Sequence, residues 1–228
     1  MNCQTVRLQF RLRPTDRESS AWYLVAMLKL FGNPASTCTR KVLFTLNETN
    51  TPYEFTVVDF AKGEHKAQPH LSRQPFGQVP ALDDDGFALY ESRAMVRYID
   101  EKAGFKLTPK DIKQRAVMEQ WISVETSNFT APAMTFIYHV VFQRPQKAED
   151  LEKASERLDL CCGIVDKALA NKNWLAGDQI SLAEVTYAPY IEYGMLTDAK
   201  NIFSKHSNLM SWWNRISERP AWRKAVGR

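Results

Sequence analysis

Three short stretches carry residues whose types and order could do chemistry. Glu91-Ser92-Arg93 stands where an apolar helical periodicity begins. The first turn of a helix has free N–H groups and the positive end of the dipole, so it favours an anion. The Ser92 hydroxyl can donate to a carboxylate, and the Glu91 carboxylate can accept from an ammonium group. A ligand carrying both groups on one carbon would match the pair, although the three residues alone also read as a plain helix cap. Pro80 follows Gln78-Val79 and opens the run Pro80-Ala81-Leu82. Proline cannot donate to a strand ladder, so it marks either an edge strand or a special backbone. A cis bond there would turn the Val79 peptide outward, free to pair with an extended peptide as an added strand does. Ser36-Thr37-Cys38-Thr39 offers N-cap hydroxyls just before Val42, Leu43 and Leu46, which recur at helical spacing.

The elements that must position these stretches alternate along the first half. Residues 28–31 read as a strand stopped by Gly32-Asn33-Pro34. A helix follows, broken by Asn50-Thr51-Pro52, and residues 53–58 alternate as a second strand. Residues 62–66 are polar and lead into a short helix or loop. Residues 79–82 and 87–90 flank Asp83-Asp84-Asp85-Gly86 as a hairpin. A helix then runs from 91 to about 102, with Ala94, Met95, Tyr98 and Ile99 on one face. The order βαβ then ββα is the thioredoxin-like α/β arrangement, in which Pro80 is expected to be cis.

After a linker with Pro109 the chain reads as all-α, over 113–142, 147–170, 181–193 and 208–218. Trp212 and Trp213 read as core anchors. Ser181-Leu182-Ala183-Glu184 reads as a capping box with Ile180 and Val185 as its hydrophobic staple. The expected division is a poorly ordered extension over 1–26, a thioredoxin-like domain over 27–103, a linker over 104–112 and an all-helical domain over 113–228.

Composition narrows the function classes. The chain has 228 residues, 44% hydrophobic and 25% charged, which excludes a disordered protein. The formal charge is +4, and the first 26 residues carry four Arg against Asp16 and Glu18. The body is therefore nearly balanced, without the basic face of a nucleic-acid or membrane-surface binder. No apolar run approaches the length of a membrane-spanning helix. Cys3, Cys38, Cys161 and Cys162 form no CxxC pair and no metal-ligand spacing, and read as reduced thiols of a cytosolic protein.

Four motifs in order carry a resemblance: residues 33–43 around Ser36, Gly63-Glu64-His65-Lys66, Pro75-Phe76-Gly77-Gln78-Val79-Pro80-Ala81, and Leu89-Tyr90-Glu91-Ser92-Arg93-Ala94. Together they resemble the phi class of glutathione transferases, typical of plants, over residues 27–228. The resemblance implies an enzyme in which Ser36 is the catalytic serine. Its hydroxyl would donate to the sulfur of glutathione, favouring thiolate over thiol. His65 and Lys66 match the residues that hold the glycine carboxylate. Gln78, Val79 and Pro80 match the strand that binds the peptide middle, and Glu91 and Ser92 match the γ-glutamyl clamp. The thiolate would attack hydrophobic electrophiles in xenobiotic detoxification and stress response, with reduction of organic hydroperoxides as a second activity.

The second substrate is expected between the domains, against Asn33, Ala35, Trp121, Glu125 and Phe129, residues that could equally be core. Glutathione is a co-substrate; no cofactor or metal is expected. The expected partners are glutathione, an electrophile and a second copy of the chain in a homodimer, with Phe76 as a contact; neither nucleic acid nor membrane is expected. The expected compartment is the cytoplasm, with plastid targeting through residues 1–26 as the lesser alternative. A carrier of flavonoids or other hydrophobic ligands, and a thiol transferase using Cys38, are the rival readings.

Overall fold

The computed structural model describes residues 27–228. The extension expected over 1–26, with Cys3, lies outside the described residues. Strand β1 (Leu28–Gly32) buries Leu28 and Leu30 and leads through a tight turn into helix α1 (Thr37–Glu48). A side chain on Gly32 would put its Cβ 2.7 Å from Thr39, so the strand-to-helix corner needs glycine. Strand β2 (Tyr53–Val57) follows, then a 3-10 turn (Glu64–Lys66) and the four-residue helix α2 (His70–Arg73). Strands β3 (Ala81–Asp84) and β4 (Phe87–Leu89) form the hairpin. Its turn is Asp85-Gly86 alone, both at positive φ as a two-residue type I′ turn requires. Asp83 and Asp84, expected in the turn, belong to β3. Helix α3 (Ser92–Lys102) closes the unit.

The sheet order is β2-β1-β3-β4, with β1 parallel to β2 and antiparallel to β3. Val79–Pro80 is cis, as is Gln68–Pro69. This is the thioredoxin-like architecture. The segment up to the next helix is tied down by buried Asp100, whose carboxylate accepts from the Leu107 N–H at 2.7 Å and the Thr108 hydroxyl at 2.6 Å.

The remainder is all helical. Helix α4 (Ile112–Val124) passes through a π-helical stretch (Glu125–Phe129) into α5 (Thr130–Val140), so the one helix expected there is three segments. Then come α6 (Ala148–Ala168), α7 (Leu182–Gly194), α8 (Ala199–Phe203), α9 (Ser207–Ser217) and α10 (Pro220–Ala225). The short α8 and α10 were not foreseen; α10 starts on Pro220, which suits the first helical position. Helix α1 packs against α3, α7 and α10, with Phe44 edge-on to Trp222. Trp212 and Trp213 are buried, as expected.

The capping box at Ser181 is formed, with Glu184 in its last place. The Glu184 carboxylate also accepts from the Leu175 N–H and the Trp212 indole, so it joins the loop before α7 to α9. Burial pushes this carboxyl above the usual range, against the pull of those donors. No helix among the described residues is long and apolar enough to cross a membrane.

Candidate functional site

Strand register brings the four motifs together. Gly32 at the end of β1 pairs with Val57 at the end of β2, so Ser36 and the segment leading to His65-Lys66 leave the same end of the sheet. Phe31 pairs with Ala81, the first residue of β3, which places Val79-Pro80 there too. Leu82 pairs with Leu89, the last residue of β4, and Glu91-Ser92 follow at that end. Parallel and antiparallel pairing thus converge on one edge four motifs spread over some sixty residues of chain.

Ser36 is half-buried and is the N-cap of α1, with extended backbone. Its Oγ accepts from the Thr39 N–H at 3.3 Å, which leaves the hydroxyl proton free to donate outward. The loop before it is held from three directions. Asn33 donates to the Val58 carbonyl and accepts from the Ala35 N–H. Arg40 donates to the Pro34 carbonyl, and Tyr193 on α7 donates to the Ala35 carbonyl at 2.8 Å.

The other motif residues sit around this corner. Lys66 is exposed, with Nζ donating to the Phe76 carbonyl at 3.0 Å. His65 packs edge-on against Phe60, and its buried Nδ1 has no partner among the described residues. Gly77 permits the approach: at φ +59° it lies so close that a Cβ would meet Lys66 Cδ at 2.6 Å and the His65 carbonyl at 2.8 Å. Gln78 is exposed and Val79 half-buried, just ahead of the first ladder residue. Glu91 is exposed at φ 69°, ψ 106°, an uncommon backbone for a residue with a side chain, and its carboxylate does not cap the helix it precedes. Ser92, the first residue of α3, is buried. Ser36, Lys66, Gln78 and Glu91 are thus exposed or half-buried on segments that leave this sheet end. Among the described residues no cluster of three His, Cys, Asp or Glu forms a metal site.

Three of the five residues expected against a second substrate belong to the core instead. Phe129 is fully buried against Tyr187 and Phe203. Trp121 is 6% exposed, and its carbonyl accepts from the Tyr187 hydroxyl. Glu125 is fully buried in an ion cluster between the domains. It takes two donors from Arg93, at 2.8 and 2.7 Å, and one from Thr130, while Lys41 lies 3.6 Å away and donates to Tyr190. Burial alone would push the Lys41 ammonium down; the Tyr190 oxygen and Glu125 outweigh it and hold it above its ordinary value. Asn33 is committed to the loop, and only Ala35 remains on the surface. Beside Ala35 an aromatic chain runs outward from the core: Tyr193 is 6% exposed with Arg40 4.2 Å over its ring, Tyr193 packs on half-buried Phe142, and Phe142 packs on Tyr138, which reaches solvent. Phe142 lies just past the end of α5, so no helical spacing in the sequence pairs it with Tyr138.

The cysteines are free thiols among the described residues. Burial pushes Cys161 up to about 11 and Cys162 further, which leaves both inert.

Comparison with known proteins agrees with this geometry. Residues 26–101 match the model of the glutathione S-transferase N-terminal domain, and residues 129–220 that of the C-terminal domain. Glutathione S-transferase F11 of Arabidopsis thaliana is 35% identical, over 88% of this chain and 97% of its own. Glutathione transferase F2 from Populus trichocarpa superposes with a TM-score of 0.83 at 32% identity, over 88% and 97% of the two chains. Glutathione S-transferase I from mais, solved in complex with an atrazine glutathione conjugate, superposes with a TM-score of 0.82 at 28% identity, over 89% and 97%. With both domains matched and the four motifs gathered at one sheet end, this chain belongs to the glutathione transferase family as an enzyme of the phi class.

Proposed function

We propose that the enzyme activates the glutathione thiol at Ser36 and conjugates it to hydrophobic electrophiles. The observation that carries this reading is the free donor of Ser36 at the start of α1, at the same sheet end as the Gln78-Val79 strand and the Glu91-Ser92 pair. Glutathione would lie along that end. Glu91 accepts from its α-ammonium group, and Ser92 with the α3 N-terminus donates to its α-carboxylate. The Val79 backbone pairs with the cysteinyl peptide, and His65 and Lys66 donate to the glycine carboxylate. The sulfur then faces the Ser36 hydroxyl and the positive end of α1.

Both features favour thiolate over thiol. A free thiol has a pKa of about 8.5, and helix N-termini lower it by roughly one to several units. The thiolate attacks an electrophilic carbon; the thioether forms as the leaving group departs with the bonding pair, and the thiol proton passes to solvent. Ser36 is never acylated or alkylated. Tyr138 and half-buried Phe142, backed by buried Tyr193, receive the apolar electrophile. The conjugate held by the mais relative supports a halogenated aromatic as one substrate class. Detoxification in the cytoplasm is the role this chemistry suits. A homodimer fits the exposure of Phe76, 64%, beside Tyr90.

Ser36→Ala tests the reading. Turnover with a chlorinated aromatic should fall about 100-fold, the cost of losing one donor to a developing or fixed anion. The ascending, acidic limb of the rate profile should move to higher pH, because the bound thiol then ionises less readily, with the glutathione KM little changed. Wild-type turnover in Ser36→Ala would overturn the serine assignment. A panel adding an organic hydroperoxide, and a flavonoid binding titration, separates peroxidase and carrier roles from conjugation.

A further inference from the structure

Helix α2 supplies two buried side chains that the proposed glutathione contacts do not use. His70 is 4% exposed and Gln74 2% exposed. His70 Nε2 donates to the Gln78 carbonyl at 2.6 Å, and Gln74 Oε1 accepts from the Gln78 N–H at 3.2 Å. The acceptor is a carbonyl, so the ring carries its proton on Nε2. His70 Nδ1 is buried without a partner among the described residues, where the Gln78 carbonyl is the ring's single hydrogen-bond partner. Gln74 in turn takes the Gly77 N–H on its carbonyl and donates its own N–H to the His70 carbonyl.

We propose that His70 and Gln74 are positioning residues for glutathione, holding both backbone polar groups of Gln78 from beneath. Gln78 lies outside the strand ladder, which begins at Ala81, so no sheet bond orients it. With its N–H and carbonyl both turned inward onto α2, its side chain points to solvent and the Val79 peptide follows in a fixed orientation. Helix α2 begins four residues after the Lys66 end of the 3-10 turn. The same two side chains therefore set the distance between the arm that takes the glycine carboxylate and the strand that takes the peptide middle. A four-residue helix has little rigidity of its own, so these bonds are what lock that distance.

The inference rests on the glutathione placement proposed above, and the test separates the two. The glutathione KM and kcat would be measured for the full chain with a saturating chlorinated aromatic, alongside thermal unfolding. His70→Phe keeps the ring volume and removes the donor. Its glutathione KM should rise about tenfold, with kcat and the electrophile KM within about twofold. His70→Gln, whose amide nitrogen reaches the place of Nε2, should restore most of the loss. A His70→Phe KM within threefold of the parent overturns the proposal, as does an equal rise for His70→Gln, which would mark packing rather than the bond. Should His70→Phe not fold, Gln74→Met removes the other bond and is judged by the same threshold. Ser36→Ala run beside them isolates the placement itself: unchanged turnover there removes the site, whatever His70 does.

Discussion

Two polar regions flank α1, and they are built in opposite ways. At its N-terminus, Ser36, Gln78 and Glu91 keep side-chain groups available to solvent while their backbones are held by neighbours. Against its flank, Lys41, Arg93 and Glu125 are charged, yet each is paired within the protein: Glu125 alone takes Arg93 twice and Thr130, with Lys41 close by. The first arrangement leaves polar capacity for a ligand. The second leaves none, and its task is to join the domains. Burial and pairing, rather than residue type, distinguish a binding site from a polar core.

The largest effect expected from this contrast is on stability. Glu125→Ala strands a buried lysine and a largely buried arginine, and should destabilise the protein by about 3–5 kcal/mol in urea unfolding. A stable Glu125→Ala protein with altered electrophile preference would break the contrast, returning Glu125 to the substrate site. Glu91→Ala should do the reverse. Loss of a charged acceptor for the ammonium group is worth roughly 1.5–3 kcal/mol, or about a ten- to hundredfold rise in glutathione KM. The urea midpoint should stay near that of the parent.

The pH dependence sharpens the same point. The Lys41 ammonium is held above its ordinary value of 10.5 in the folded protein. The folded state therefore keeps this proton where the unfolded chain releases it, and unfolding free energy falls with pH there. The contribution is fully present below 10.5 and is lost as pH rises through the folded value. Urea midpoints between pH 9 and pH 12 should show the decline, and in Lys41→Met this component should be absent. The smallest effect belongs to the Arg97–Glu119 pair, whose side chains are both more than a third exposed. Glu119→Gln should cost under about 1 kcal/mol. A larger loss would mean that surface pairs, too, hold the domains together.

Much of the candidate site at the sheet end is legible in the sequence because its elements are locally encoded. The turn Gly32-Asn33-Pro34, the N-cap Ser36, the proline at 80 and the start of α3 at Ser92 each carry their own backbone chemistry. The capping box at Ser181 formed for the same reason. The burial of Trp121, Glu125 and Phe129 is not legible in the sequence because they lie on helix segments whose exposed face depends on what packs over them. The π-helical stretch over Glu125–Phe129 also breaks the 3.6-residue period on which a face would be read. No side-chain pattern announces His70 and Gln74 for a related reason: their partner is the backbone of Gln78.

The sequence by itself determined the order of strands and helices, the two-part architecture and the four motifs that define the family. These depend on turns, caps and periodicities that act over a few residues. Only the tertiary structure decided which charged groups are paired, that Tyr193, Phe142 and Tyr138 pack on one another, and that α2 holds Gln78 from beneath. Those outcomes depend on burial and on hydrogen bonds between segments far apart in the chain, where the same residue can serve a core or a ligand according to what covers it.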